Sequence, residues 1–503
     1  MKKKIGFLMT FAIIFSIILT SCISSNNVSS ATSETSIASE NSEKTVRLFD
    51  NLPEYDGNKK EITFLVRGLE AGDRYQSVEI GAEELTNELI NDAVYNRNKL
   101  VEDHFNIKIK TVATGVGESI ITNIRAQDLA NEDKYQVVMP TMDSAAVLAG
   151  EGLFLDLKSE EIAKNLDLSK EWWDQRANED LTIGGKLFFT TGHISVLDNA
   201  CTSVIIFNKK IVQELELDNP YSLVKSGKWT IDKLRELAKQ VTKDSDGSGD
   251  MNYKDTWGFI TALGVPNSIL VGAGERFVGK DTNDLPSLVM GGTRFVSVLD
   301  KYAGLLGDKN ATLSVADITS EQISETGFND GYYVASDAFG SNRVLFRTIV
   351  LVDLFELADY NVSYGILPPP KYDENQQSYY AYVSPVGVPG ICIPKTNKNP
   401  SETALIVAAM AEASTGTLNE AYYETMLKKR KVEDNESKEM LDLIFNNRVY
   451  DLGMVFNWAD MLWLAPYSIT SDGQNLFASQ YHAKKDMIES AMQKTIEQFA
   501  KLS

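Results

Sequence analysis

The sequence predicts an α/β protein in two lobes, each a mainly parallel sheet flanked by helices. Three observations lead there. From Glu61 onward, strand-like and helical patterns alternate with short links, the order that builds parallel sheets with helices on both faces. The 503 residues exceed what one hydrophobic core usually organises, because domains cluster at roughly 100 to 200 residues. A hydrophobic content of 43% and a charged content of 24% are those of a globular protein able to fill such cores.

The N-terminus differs from the rest. Lys2, Lys3 and Lys4 precede an apolar run from Ile5 to Leu19, which ends in Leu19-Thr20-Ser21-Cys22. A positive segment, an apolar stretch and small residues form an export signal, and with the cysteine the pattern resembles the lipobox of bacterial lipoproteins. That resemblance implies a lipoprotein signal peptide over 1–21, cut before Cys22, whose lipidation (diacylglycerol and palmitate) anchors the chain to the extracellular face of the cell membrane. Each buried methylene contributes about 0.8 kcal/mol, so more than one acyl chain gives a stable anchor. Residues 22–45 are rich in Ser, Asn and Thr and predict a flexible lipidated stalk.

In the body, ITFLVRG predicts a first strand. Leu89, Ile90, Ala93, Val94, Leu100, Val101 and Phe105 then fall on one helical stripe, with His104 beside them. NIKIKTV alternates like a strand, Ile120 to Leu129 reads as a helix, KYQVVMPT as a short buried strand, and Asp143 as the cap of a helix through Ala149. Ligands of such sheets lie beyond the carboxyl ends of the strands. The segments to watch are therefore Arg67 to Glu70 and Thr141 to Asp143. Trp172-Trp173 reads as a packing corner, Tyr422 to Trp458 as helical, and Ser479 to Leu502 as a final helix.

From Cys201 to Phe259 the order is a β-branched strand (Thr202 to Phe207), an Asn208-Lys209 stop, a short helix and a long loop. Trp229, a helix capped by Thr230, an acidic glycine-rich loop and Trp257-Gly258-Phe259 follow. Later, VSPVGVPGICIPKTNKNP sets a strand, a lysine and Asn399-Pro400 before a helix from Glu402 to Ala413. In this order the chain resembles the extracellular solute-binding proteins of ABC importers (family 1, sugar-binding type), specifically the large sugar-binding lipoproteins of Gram-positive bacteria. The resemblance implies a two-lobed, type II periplasmic-binding-protein-like fold joined by crossing strands. Lobe 1 would comprise 46–201 with 389–420, and lobe 2 would comprise 202–388 with 421–503. It also implies capture of a small solute, an oligosaccharide or sugar, by hinge closure, and delivery to ABC permease subunits. A peptide- or polyamine-binding lipoprotein and a sensor receptor share the same order of elements, and the sequence leaves them open.

A formal net charge of −21 excludes nucleic acid as a partner class, since that affinity rests on Lys and Arg neutralising phosphates. Chemistry has few carriers. The histidines are His104, His193 and His482, without zinc-ligand spacing, and neither GxSxG nor GxxxxGK[ST] occurs. A glycoside hydrolase needs only two suitably spaced carboxylates, so composition leaves it as an alternative without a signature. Cys201 and Cys392 lie in strand-like runs, as core residues or as a disulfide.

The resemblance maps polar ligand contacts onto Arg67, Asp143, Asp198 and Arg347, and an aromatic platform onto Trp458, followed by Trp463, Tyr332 and Phe339. Asp143 reads equally as an N-cap, Arg67 and Arg347 as salt-bridge partners, and Trp458 as core. In DSDGSGDMNYKD, oxygen donors recur at calcium-loop spacing: Asp244, Asp246, Ser248, Asp250 through its carbonyl, Asn252 and Asp255, with Gly249 at the turn. A structural Ca²⁺ is the expectation, alongside a merely solvated acidic turn.

Overall fold

The computed structural model describes residues 48–72, 74–428 and 435–502. The expected signal peptide, Cys22 and the expected stalk lie outside the described residues. No helix among the described residues is long and apolar enough to cross a membrane.

Strands β1 (Lys60–Val66), β2 (Ile107–Ala113) and β3 (Val137–Met139) form a sheet in the order β2-β1-β3, parallel throughout. The central strand, β1, is buried from Ile62 to Val66 because helices cover both its faces. The helix Leu89–Phe105 packs here with Val94, Val101 and Phe105 inward, but Leu89 and Leu100 of the expected stripe are exposed. Arg97 and Asn98 take the inward places. Fully buried Arg97 gives its protons to the carbonyl of Ile80, to Asn98 Oδ1 and to Ser414 Oγ. His104 is exposed, its ring 4.8 Å from that of Phe49.

β4 (Ser203–Asn208), β5 (Trp257–Thr261), the hairpin β6 (Val278–Lys280) and β7 (Pro286–Leu288), β8 (Thr312–Ser314), β9 (Val344–Val350) and β10 (Tyr364–Leu367) follow. All but the hairpin form a second sheet, ordered β10-β4-β9-β5-β8. It is mixed, not mainly parallel: β9-β5 and β5-β8 are parallel, while β4 runs against both β9 and β10. The reason is the direction of arrival. The chain reaches β4 from the first sheet and runs outward, whereas β5, β8 and β9 end where β4 begins, with Ser203 opposite Val350.

The return is not one long strand. β11 (Ala381–Tyr382) pairs with β12 (Arg448–Val449), and single bridges join Thr202 to Val383, Thr141 to Pro389, Thr190 to Ile391 and Val138 to Cys392. The outgoing and returning segments therefore lie side by side at Thr202 and Val383. The helix Leu418–Lys428 packs on Leu89–Phe105 and Pro400–Thr415, so the chain stays with the first sheet beyond the expected boundary at 420. The expected helical run to Trp458 is interrupted by β12 and resumes as Leu452–Phe456.

The helix Phe477–Lys501 packs on both Met142–Gly150 of the first sheet's layer and Thr293–Leu306 of the second's. This bridging makes Arg47–Ser503 one compact unit despite its two sheets. Cys201 and Cys392 are free and buried, and Trp172 and Trp173 are core.

Candidate functional site

A cavity of about 330 Å³ opens where the second sheet's strands end and the crossing segments begin. β9 supplies Thr348 to Val350, the start of β4 supplies Ser203, and the turn after β5 supplies Ala262 to Val265. Asn267 and Ser268 follow in the first turns of the helix Val265–Gly272. The returning segment adds Tyr382, Ser384 and Val386; the helix Met461–Ser468 adds Leu462 and Trp463; the loop after β1 adds Tyr75; and the helix Gly331–Gly340 adds Tyr332. Apolar walls are thus set with four aromatic residues, Tyr75, Tyr332, Tyr382 and Trp463.

Its polar atoms are unevenly satisfied. Ser203 Oγ and Ser268 Oγ share a hydrogen bond of 2.7 Å. Asn267, 2% exposed, donates from Nδ2 to the Leu462 carbonyl (2.9 Å), and its Oδ1 has no partner among the described residues. Thr348 Oγ1 is also buried and unpartnered. A buried acceptor left unpaired costs about 1–3 kcal/mol, so both atoms are poised for a guest that brings hydrogen-bonding groups. Asp353 is the one carboxylate in the described lining, and Arg74 already pairs with it at 2.9 Å.

None of Arg67, Asp143, Asp198, Arg347 and Trp458 lines this cavity. Arg67 follows β1 as expected but is buried, donating from Nη1 to the Gly387 carbonyl at 3.0 Å; burial pulls its guanidinium below the ordinary value. Gly387 has to be glycine, since a Cβ there would sit 2.5 Å from Cys201 Sγ and 3.2 Å from the Tyr75 ring. Asp143 is half-buried, its Oδ1 accepting from the Ser144 N–H (2.8 Å), and the helix cap is Thr141 instead. Arg347 lies within β9, buried, donating to Ser336 Oγ (2.7 Å) and pairing with Glu356 at 3.7 Å.

Asp198 sits in a different cavity of about 670 Å³, beside His193, Asp174 and Arg448. Arg448 bridges Asp174 at 2.7 Å and Asp198 at 3.3 Å. Burial, with Asp174 adding to it against the pull of Arg448, pushes the Asp198 carboxyl up to about 7. Trp458 is core: it stacks on Phe456 at 5.0 Å and donates from Nε1 to Thr495 Oγ1 at 2.8 Å. Of the secondary aromatic candidates, Trp463 and Tyr332 line the cleft cavity, and Phe339 is fully buried. Tyr75, Asn267 and Thr348 were missed. The rule that ligands lie beyond strand ends points to 262–268 once β5 is placed; Tyr75 leaves no signal.

The acidic loop fits a calcium ion in donor type. Asp244, Asp246 and Asp255 bring carboxylate oxygens within 4.8 Å of one another. Ser248 Oγ donates to the Asp250 carbonyl at 2.9 Å, and Asn252 Nδ2 donates to that carbonyl (3.2 Å) and to Asp246 Oδ2 (3.1 Å), so these side chains cluster, although Asn252 turns its amide nitrogen inward and its Oδ1 to the Lys254 N–H. Gly249 takes the left-handed turn at φ 85°. Asp255 Oδ1 already accepts from the N–H groups of Ser245 and Asp246, leaving Oδ2, which accepts from Asn252, with a free lone pair. It could thus ligate through one oxygen only.

No protein-family model and no curated protein matches the sequence. Solved structures do match in fold. A cyclo/maltodextrin-binding protein complexed with maltotetraose superposes with a TM-score of 0.56 at 14% identity, over 87% of this chain and 98% of that one. An ABC substrate-binding protein from Listeria monocytogenes in complex with cycloalternan gives 0.53 at 15%, over 86% and 99%. UgpB from Mycobacterium tuberculosis in complex with glycerophosphocholine gives 0.54 at 14%, over 87% and 100%. These likenesses extend over most of each chain, and the fold is the two-lobed, type II periplasmic-binding-protein-like one.

Proposed function

We propose that the chain is the capture component of an ABC importer, which holds a small uncharged solute, a sugar or short oligosaccharide, between its lobes and presents it to permease subunits. The observation that carries this reading is the pairing of aromatic faces with orphaned hydrogen-bonding atoms. Tyr75, Tyr332, Tyr382 and Trp463 offer stacking surfaces, and Asn267 Oδ1 and Thr348 Oγ1 await hydroxyl groups. A pyranose has just such an apolar face and polar rim. The fold neighbours complexed with maltotetraose and cycloalternan support the same class.

Binding without catalysis fits the described lining, whose single carboxylate, Asp353, is ion-paired. Glycoside hydrolysis by the usual route needs two, and a polyamine would call for unpaired ones. The lobes in this reading meet at the segments near Thr202 and Val383, and closure follows from a solute that touches both. Lipidation at Cys22 would keep the protein on the outer face of the membrane, and Ca²⁺ in the Asp244–Asp255 loop would be structural. A thermal-shift screen against maltotetraose, glycerophosphocholine, a tetrapeptide and spermidine tests the class: stabilisation by maltotetraose supports it, and a response confined to the peptide or the polyamine overturns it.

A further inference from the structure

The loop between β1 and the helix Leu89–Phe105 belongs to the first sheet, yet its Arg74 is fastened to the second. Nη1 of Arg74 lies 2.9 Å from Asp353 Oδ1, Nη2 pairs with Glu356, and the guanidinium lies 5.5 Å over the ring of Tyr333. Asp353 and Glu356 sit in the turn Leu351–Leu357 that follows β9. Their side chains are only 18% and 10% exposed. Behind them, Arg347, 6% exposed, is the second cation of the group, held to Glu356 both directly and through Ser336.

Two guanidinium groups thus face two carboxylates, and only Arg74 comes from the other side of the cleft. If the lobes part, Arg74 leaves, and one buried cation remains for two poorly solvated anions. An uncompensated buried charge is costly, so the cluster favours the closed arrangement. The next residue, Tyr75, lines the cavity and touches the hinge segment at Gly387.

We propose that Arg74 is a positioning residue: it latches the loop of the first lobe onto Asp353 and Glu356 of the second, and so sets Tyr75 against the solute. This rests on the reading of the cavity as a solute site. It has a signature that direct solute contacts lack, because binding of an uncharged solute then weakens with ionic strength as the partly exposed pair is screened.

The test uses the full chain, Arg74→Met, which keeps the length of the side chain without its charge, and Arg74→Lys. Hydrogen exchange of the backbone amides near Tyr75, with no solute present, reads the latch directly. In Arg74→Met, protection is expected to fall about 5- to 30-fold, the factor that corresponds to roughly 1–2 kcal/mol, and to lose its dependence on NaCl between 50 and 500 mM. Arg74→Lys should restore part of it. Protection that is unchanged in Arg74→Met and indifferent to salt in the wild type overturns the proposal. In a second arm, maltotetraose affinity is measured at the same salt concentrations: a salt-dependent Kd in the wild type and a flat one in Arg74→Met agree with the latch. The exchange arm decides the latch whether or not maltotetraose binds, so a failure of the solute reading and a failure of the latch are told apart.

Discussion

Two tryptophans five residues apart should separate binding from folding. Trp458 is 5% exposed, stacked on Phe456 and bonded to Thr495. Its truncation to Ala removes a core aromatic, at about 3–5 kcal/mol, and leaves the cleft cavity untouched. Trp463 is half-buried and lines that cavity, with the Tyr467 ring 6.0 Å from its own. Full burial of a large apolar side chain contributes about 1.5–3 kcal/mol. If the solute covers one face of the indole, about half of that is at stake, which is roughly a 3- to 12-fold loss of affinity at about 1.4 kcal/mol per decade. Urea unfolding gives the first quantity and calorimetric titration of the solute found by screening gives the second. Trp458→Ala should lower the unfolding midpoint and keep Kd within a factor of about two, a shift of under half a kcal/mol. Trp463→Ala should do the reverse. Equal losses of affinity in both, measured where both are folded, would refute the placement of the site.

The other expectations concern single groups. Asn267→Ala removes the orphaned Oδ1 and should weaken solute binding by about 1–3 kcal/mol, with calorimetry as the measure; an unchanged Kd would remove Asn267 from the site. For Asp198 the sign is set by burial, which raises its folded pKa to about 7. A carboxyl that keeps its proton longer when folded is most favourable below its unfolded pKa of about 3.9, and its contribution is lost as pH rises toward 7. Half-buried Asp180, its carboxyl pushed up to about 6 by desolvation, acts in the same direction. Asp198→Asn should therefore flatten, without abolishing, the fall in stability between pH 4 and 7 seen by urea titration, and an unaltered slope would contradict it. For the acidic loop, millimolar Ca²⁺ against EDTA should raise the melting temperature, because a ligand at 100 times its Kd adds about 2.7 kcal/mol. Asp246→Asn should abolish the difference, and a curve identical in both conditions would dispose of the ion.

Much of the fold was legible because local chemistry decided it. The β-branched run from Thr202 to Phe207 is buried over β4, and Thr230 does cap its helix, Oγ1 accepting from the Lys233 N–H at 3.2 Å. The parallel first sheet followed from the alternation of elements alone. What failed was the part that depends on direction and distance. A mixed second sheet could not be read from periodicity, since a strand's pattern is the same whichever way it runs. Arg97 replaces Leu100 inside because buried carbonyl and hydroxyl acceptors surround it, partners up to 317 positions away in the chain. Asp198 was placed near the ligand for its proximity to the crossing strand, but its counter-ion, Arg448, is 250 residues on.

The tryptophan misplacement has the sharpest physical cause. The resemblance maps the aromatic platform onto Trp458, at the end of a run expected to be helical from Tyr422. The chain instead breaks at Asn457, Ala459 and Asp460, all left-handed, with φ of 47°, 51° and 65°. A left-handed alanine is costly for an L-residue without a hydrogen-bonding side chain, so packing on both sides of the break must hold it there. Trp458 is anchored to the helix Phe477–Lys501 through Thr495, and Asn457 Oδ1 accepts from the Leu462 N–H at 2.9 Å, setting the start of the next helix. The turn interrupts the helix between the two tryptophans, and Trp463, beyond it, lines the cavity. Ala459→Gly relieves the left-handed alanine and should stabilise the protein by up to about 1 kcal/mol, with solute affinity unchanged; a destabilised variant would mean that the turn is held by the alanine methyl, not in spite of it.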